Sequence, residues 1–298
     1  MVKVSDLVAE FLKEKEIKVV FGIIGSANSH IFDSIDKLGY TKIINVHHEQ
    51  AAVMAMGAYW RASGKLSATI VTAGGGAANS ITGIVSNWAD SIPGIIISGN
   101  ESSFYIKEQE HLRMYGTQGF NIAKMVKDVT KYSHCLLDEN DIQNELEKCY
   151  KITNTGRKGP VLLDIPFDIQ AKQTPVRDWA KFTEIDLPNP EHSDYIIKQI
   201  NNAKRPLILG GHGIKLSGAK KLFQSLVKKT GIPTTLSWSG IDLLNSNDPN
   251  FYGRFGLYGQ RASNFIVQNC DLLIVLGSRL ALPQTGYNFD EFVREGKI

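Results

Sequence analysis

Glu49 is the carboxylate whose surroundings invite chemistry. It stands in His47-His48-Glu49-Gln50-Ala51-Ala52, just after the apolar run Ile43-Ile44-Asn45-Val46. A carboxyl buried among apolar groups holds its proton more firmly and can share it with a ligand base. The plainer reading is a first-turn acid that favours a helix dipole. His47 and His48 suggest a metal, but adjacent residues of an extended chain point to opposite faces and chelate poorly, so no metal ligand is expected. Gly74-Gly75-Gly76-Ala77-Ala78-Asn79 follows another apolar run and could cradle a phosphate at a helix N-terminus. It lacks the Lys-Ser/Thr ending of a P-loop and fits no Gly-x-Gly-x-x-Gly pattern. Gly210-Gly211-His212-Gly213 is a similarly weak dinucleotide signal. Such motifs are more often tight backbone turns than cofactor sites. Cys135, Cys149 and Cys270 are widely spaced and odd in number. That disfavours a disulfide framework or a zinc cluster and fits a reducing compartment.

These residues need elements to position them. Val4, Leu7, Val8, Phe11 and Leu12 recur at helical spacing, with Ser5 or Asp6 as a cap. Apolar runs predict strands over 18–23, 43–46, 68–71, 95–99 and 160–165. Helices are expected between them, one carrying Ile31, Phe32 and Ile35 and an Ala-rich one reaching Ala58. Strands alternating with helices, with glycines at strand ends, indicate a parallel sheet wrapped by helices. Such sheets bind ligands outside the carboxyl ends of their strands, which directs attention to the loops after Gly22, Val46 and Val71. Between Ala171 and Ser193 the pattern lapses, with Pro175, Pro188 and Pro190 among scattered charges, as in a linker. It restarts with strands expected over 206–210, 232–236 and 271–276 and a helix over 219–229. The expected fold class is α/β, with two parallel-sheet three-layer domains. The second is Rossmann-like and incomplete, because Gly296-Lys297-Ile298 reads as the start of a further strand.

Composition excludes several classes. A chain of 298 residues suggests about two domains. Its 43% hydrophobic and 21% charged residues are ordinary globular material. Lys and Arg number 33 against 30 acids, and the basic residues form no run, so nucleic acid is not an expected partner. The uncharged stretch 66–89 is broken by Gly74, Gly75, Gly76, Asn79, Ser80 and Asn87, so no membrane span is expected. Lys3, Asp6 and Glu10 exclude a signal-peptide apolar region, and a cytoplasmic location is expected.

The order of the pieces is more specific than any one of them. Val20-Phe21-Gly22-Ile23-Ile24-Gly25-Ser26 precedes His48-Glu49-Gln50-Ala51-Ala52 and Gly57-Ala58-Tyr59-Trp60-Arg61-Ala62-Ser63-Gly64-Lys65. Thr72-Ala73-Gly74-Gly75-Gly76-Ala77-Ala78-Asn79, Trp88-Ala89-Asp90-Ser91-Ile92-Pro93 and Gly159-Pro160-Val161-Leu162-Leu163-Asp164-Ile165-Pro166 follow. This series resembles the thiamine-diphosphate-dependent enzymes of the acetolactate synthase and pyruvate decarboxylase type, over essentially the whole chain. The resemblance implies a pyrimidine-binding domain over 1–172, a linker over 173–192 and a central domain over 193–298. In the central domain, Gly253-Arg254-Phe255-Gly256, Gly259 and Asp271 to Arg279 carry the likeness. It implies that Glu49 hydrogen-bonds N1′ of the cofactor's aminopyrimidine, promoting loss of the thiazolium C2 proton and attack on a 2-keto acid. Thr72 and Asn79 are implied as further cofactor contacts. Gly25, Ser26 and Ala27 are implied to face substrate, although Ile24 stands where the family usually has proline. Gln118 is implied near the reacting centre, with Gly119 where an acid is common.

The family holds the diphosphate and Mg²⁺ through a third domain bearing a Gly-Asp-Gly run and paired asparagines. No Gly-Asp dipeptide occurs among these residues, and Asn201-Asn202 has no such motif before it. The expectation is therefore the N-terminal portion of an acetolactate synthase-like enzyme that decarboxylates or ligates a 2-keto acid, inactive alone. Homodimers or homotetramers, or a separate diphosphate-binding subunit, are the implied partners. The alternative is a non-catalytic subunit or binding protein of the same fold. FAD is a further candidate because some relatives bind it on the central domain, where Arg254 and Arg279 could serve. A nicotinamide- or flavin-binding Rossmann protein rests on Gly210-Gly211-His212-Gly213 alone.

Overall fold

Ile95, Ile96 and Ile97 are all fully buried, yet they serve two different cores. That alternation marks a strand covered on both faces. The computed structural model describes residues 1–109, 111–181 and 192–298. The chain divides into two units, Met1–Asp186 and Leu187–Ile298.

The first unit contains β1 (Val2–Lys3), β2 (Val19–Gly22), β3 (Lys42–Asn45), β4 (Ala68–Val71), β5 (Gly94–Asn100), β6 (Tyr132–Cys135), β7 (Pro160–Pro166) and β8 (Gln173–Thr174). Six of them form a parallel sheet in the order β3-β2-β4-β5-β7-β6. Helices α1 (Val4–Glu14) and α2 (Ser29–Leu38) cover one face, where Phe11, Leu12, Ile31 and Ile35 meet Val20, Ile70, Ile95, Ile97 and Leu163. Helices α3 (Glu49–Ser63) and α5 (Ile81–Ala89) belong to the other core, where Val53, Met56 and Ile84 meet Phe21, Val71, Ile96 and Leu162. Between β4 and α5 lies the short helix α4 (Gly75–Asn79). The chain leaves β2 toward β3 on one side and places β4 on the other, so strand order reverses there. The crevice outside the carboxyl ends at such a reversal is where open α/β sheets bind ligands.

Of the stretch 173–192, β8 pairs antiparallel with β1, and the Arg177 guanidinium binds Glu147 at 2.6 Å. Residues 182–191, with Pro188 and Pro190, lie outside the described residues. The second unit contains β9 (Pro206–Gly210), β10 (Thr234–Leu236), β11 (Phe251–Arg254) and β12 (Leu272–Leu276), a parallel sheet in the order β11-β10-β9-β12. Phe223 and Val227 of one helix pack with Ile208 and Leu236, while Val267 of another packs with Leu207, Leu209 and Leu273. The fold class is therefore α/β with helices on both faces of parallel sheets. Lys297, within the Gly296-Lys297-Ile298 stretch expected to begin a strand, forms a parallel bridge with Leu272. No helix among the described residues is long and apolar enough to cross a membrane. The uncharged stretch 66–89 is divided among β4, a turn, α4 and α5.

Candidate active site

The loops after β2, β3 and β4 converge at the strand reversal. Glu49 is the first residue of α3, and His48 caps that helix by accepting the Gln50 amide at 3.2 Å on Nδ1. Glu49 is thus a first-turn acid that is only 8% exposed. Its Oε2 accepts a hydrogen bond from Asn79 Nδ2 at 3.0 Å. His47 and His48 are both exposed, and among the described residues no group of three His, Cys, Asp or Glu side chains gathers to hold a metal ion.

The turn after β4 can come so close only because it lacks side chains. A Cβ on Gly76 would lie 2.7 Å from Thr72 Cγ2 and 3.1 Å from Glu49 Oε1. A Cβ on Gly25 would lie 2.5 Å from Thr72 Oγ1. That oxygen is buried and has no hydrogen-bond partner among the described residues. Buried polar atoms are rarely left unpaired, so this hydroxyl calls for a partner that the described residues do not supply. The phosphate cradle considered for Gly74-Gly75-Gly76 does not hold up. The space beside Gly76 is bounded by the Glu49 carboxylate, which would repel an anion, and α4 is five residues long.

The loop bearing Gly25, Ser26 and Ala27 is anchored from beneath. Asn28 is fully buried, accepts the Gly25 amide at 2.8 Å and donates to the Ile23 carbonyl at 3.0 Å. Gln170 donates to the Ala27 carbonyl at 2.7 Å. Gly99 of β5 lets this loop sit on the sheet, since a Cβ there would lie 1.9 Å from the Ala27 oxygen. Ser26 stays exposed. Gln118 reaches the same turn from another loop: a Cβ on Gly74 would lie 2.5 Å from the Gln118 carbonyl oxygen and 3.0 Å from its Cβ. The Gln118 amide donates to Glu101 Oε1 at 3.1 Å. The structure therefore groups Glu49, Thr72, Asn79 and Gly25 around Gly76 and sets Gln118 on Gly74. Of Ser26 and Ala27, only the former presents its side chain to solvent.

Asn28 belongs to the loop already singled out in the sequence, whereas no local pattern marks Asn100 or Asp164 as functional. Asp164 is fully buried, and burial pushes its carboxyl up to about 6 against the pull of hydrogen bonds from Ser98, Asn100 and Cys135. Burial likewise pushes the neighbouring Cys135 thiol far upward. The available signal was a lone acid inside the apolar run of β7.

In the second unit, Gly211 and Gly213 allow the turn after β9 to touch the turn after β12. A Cβ on Gly211 would lie 2.3 Å from the Gly277 oxygen, so these glycines serve backbone packing. A cavity of about 450 Å³ lies near Phe255, Leu257, Pro283, Tyr287 and Phe292. Its lining contains Glu291 and neither Arg254 nor Arg279, nor any other Arg or Lys.

Residues 2–125 match the family described as thiamine pyrophosphate enzyme, N-terminal TPP binding domain, and residues 194–298 match its central domain. The chain is similar to the acetolactate synthase large subunit of Haemophilus influenzae, with 31% identity over 99% of this chain and 51% of the relative. It is also similar to a probable chloroplastic acetolactate synthase 2 of Oryza sativa subsp. japonica, with 31% identity over 99% of this chain and 44% of the relative. The acetolactate synthase isozyme 2 large subunit of Escherichia coli shares 30% identity over 94% of this chain and 50% of its own length. The chain thus spans about half the length of the curated relatives it matches.

Gly74 tests the construction of the site. Its φ is +68°, and any Cβ meets the Gln118 backbone. Gly74→Ala should cost about 1–3 kcal/mol, read as a lower urea midpoint at unchanged m-value. A variant as stable as wild type would mean that the 118 loop does not rest on this turn.

Proposed function

Because the chain belongs to the thiamine pyrophosphate enzymes of the acetolactate synthase type and carries their N-terminal and central domains, we propose that it forms the pyrimidine-binding part of an enzyme that decarboxylates or ligates a 2-keto acid. Thiamine diphosphate is the same cofactor under its other name. In this reading residues 1–172 receive the aminopyrimidine, 173–192 link, and 193–298 form the central domain. The diphosphate and Mg²⁺ are held by residues outside this chain. The free cysteines fit a cytoplasmic setting.

One observation carries the proposal: a buried carboxylate and an unpartnered buried hydroxyl come together where the loop after β2 meets the glycine turn after β4. Glu49 Oε1, the oxygen that does not accept from Asn79, would share a proton with N1′ of the aminopyrimidine. Asn79 would orient the carboxyl, and Thr72 Oγ1 would supply a further polar contact. Glu49 would thereby tilt the ring toward its imino form, while the apolar flank of α3 would keep water from the carboxyl. The bound cofactor supplies the electron sink for bond breaking and making at the keto carbon. Gln118 and the exposed Ser26 would meet the substrate.

Assembly follows from the surface of the same helices. Met54 of α3 is 41% exposed, and Val85 and Trp88 of the adjacent α5 are 42% and 39% exposed. Apolar side chains on an amphipathic face are better covered by a partner, and we assign this face to homo-oligomer formation. In sedimentation, Met54→Asp and Trp88→Glu should each shift the wild-type oligomer toward monomer. A wild-type chain that is monomeric at micromolar concentration would contradict the assignment.

For the chemistry, the test is Glu49→Gln in the full-length protein. The amide keeps size and one hydrogen bond but cannot deliver the proton. Exchange of the cofactor's C2 proton should slow by roughly 10²–10⁴-fold. Thermal stability should barely change, since an amide is cheaper to bury than a carboxylate. An acid serving only the α3 dipole would leave exchange unaltered and cost at most about 1 kcal/mol of stability.

A further inference from the structure

Asp164 is a fully buried carboxylate that the proposed chemistry does not use. Parallel pairing sets Ser98 of β5, Asp164 of β7 and Cys135 of β6 in one row. Ser98 Oγ donates to Asp164 Oδ1 at 2.6 Å, and Asn100, two residues further along β5, donates through Nδ2 to Oδ2 at 2.5 Å. The same Asn100 nitrogen reaches out of the sheet. It donates to the Phe120 carbonyl at 3.0 Å and lies 3.3 Å from the Tyr115 hydroxyl. Tyr115 and Gly119 close the intervening loop with two backbone hydrogen bonds, of 3.2 and 2.8 Å. Gln118 stands at the tip of that loop and lies over Gly74.

We infer that Asp164 is a positioning residue: by fixing the Asn100 amide, its carboxylate holds loop 115–120, and with it Gln118, over the glycine turn of the site. The inference rests on the reading that places Gln118 at the reacting centre. The physical reason is directional. An Asn side chain can rotate, and a free amide could not hold a loop in one place. Locked by a charged acceptor through a short hydrogen bond, it becomes a fixed donor. Glu101 supports the same loop by accepting the Gln118 amide, which leaves Asn100 and Glu101 as adjacent clamps from the end of β5.

The titration of Asp164 supplies a readout that a merely structural role would not give. The groups facing it are the Ser98 hydroxyl, the Asn100 amide and the Cys135 thiol, which burial keeps neutral. Tyr115 and Glu101 lie one contact further out. The carboxyl titrates near 6, above its ordinary 3.8. A raised acid costs global stability as pH rises from the unfolded value through the folded one, because burial opposes the charge. Loop order should run the other way, since the charged form grips Asn100 more strongly.

The experiment is hydrogen exchange at the Gln118 and Gly119 amides of the cofactor-free chain between pH 5 and 7.5, corrected for intrinsic rates. Wild-type protection should rise about tenfold with pH, following one group with a midpoint near 6. Asp164→Asn should abolish that pH dependence. Asn100→Ala should lose the protection at every pH while the amides of β5 and β7 remain protected. Loop protection in wild type that ignores pH would overturn the inference, and that measurement stands even if a variant does not fold. Folded Asn100→Ala protein with wild-type loop protection would overturn it equally. Because no cofactor is present, these outcomes are separate from any failure of the Glu49 proposal.

Discussion

How near the turn after β4 can come to Glu49 governs the rest of the site. A carboxylate at the start of a helix ordinarily faces water. Here it is covered, and the cover is backbone. Gly76 brings main chain to within about one atom's width of the carboxyl, and Asn79, three residues on, reaches back to bond Oε2. Gly25 lets the loop after β2 lean on Thr72 in the same way, and Gly74 admits the backbone of Gln118. A side chain at any of these positions pushes two elements apart. The result is a close junction of separate strand ends around a single acid.

The sheet supplies the register for this arrangement. Parallel strands place their carboxyl ends in one row, so the loops after β2, β3, β4 and β5 all open on the same side. The reversal of strand order between β2 and β4 leaves the crevice between their outgoing loops. Polar residues at that edge tie loops down. Asn28 fixes the loop after β2 from within, Gln170 holds it from β7's following helix, and Asn100 and Glu101 hold the loop bearing Gln118. The apolar runs beneath, such as Ile95 to Ile97, make the platform stiff enough for these few hydrogen bonds to define positions.

Much of this was legible in the residues. The buried strands of the first unit are apolar runs ended by glycine or a polar residue, and β2, β3, β4, β5 and β7 follow from that pattern alone. Glu49 was found because an acid between apolar stretches is unusual. The four residues of β6, Tyr132-Ser133-His134-Cys135, carry no such pattern, because an edge strand is only half covered and needs no unbroken apolar run. The roles of Asn100 and Asp164 escaped notice for a related reason. Their importance lies in each other, 64 residues apart on neighbouring strands, and no local spacing encodes that. The glycine runs left two readings open in the sequence. A phosphate cradle and a turn squeezed against a carboxylate look alike until the neighbour of Gly76 is known.

The central claim is that Glu49 meets N1′ of an aminopyrimidine. The most direct measurement is the ¹⁵N chemical shift of thiamine diphosphate labelled at N1′ and bound to the full-length protein with Mg²⁺. If Glu49 meets N1′, the resonance should shift on binding toward the values of a hydrogen-bonded or protonated ring nitrogen. A bound cofactor whose N1′ resonance stays at its free position would show that Glu49 does not touch the ring.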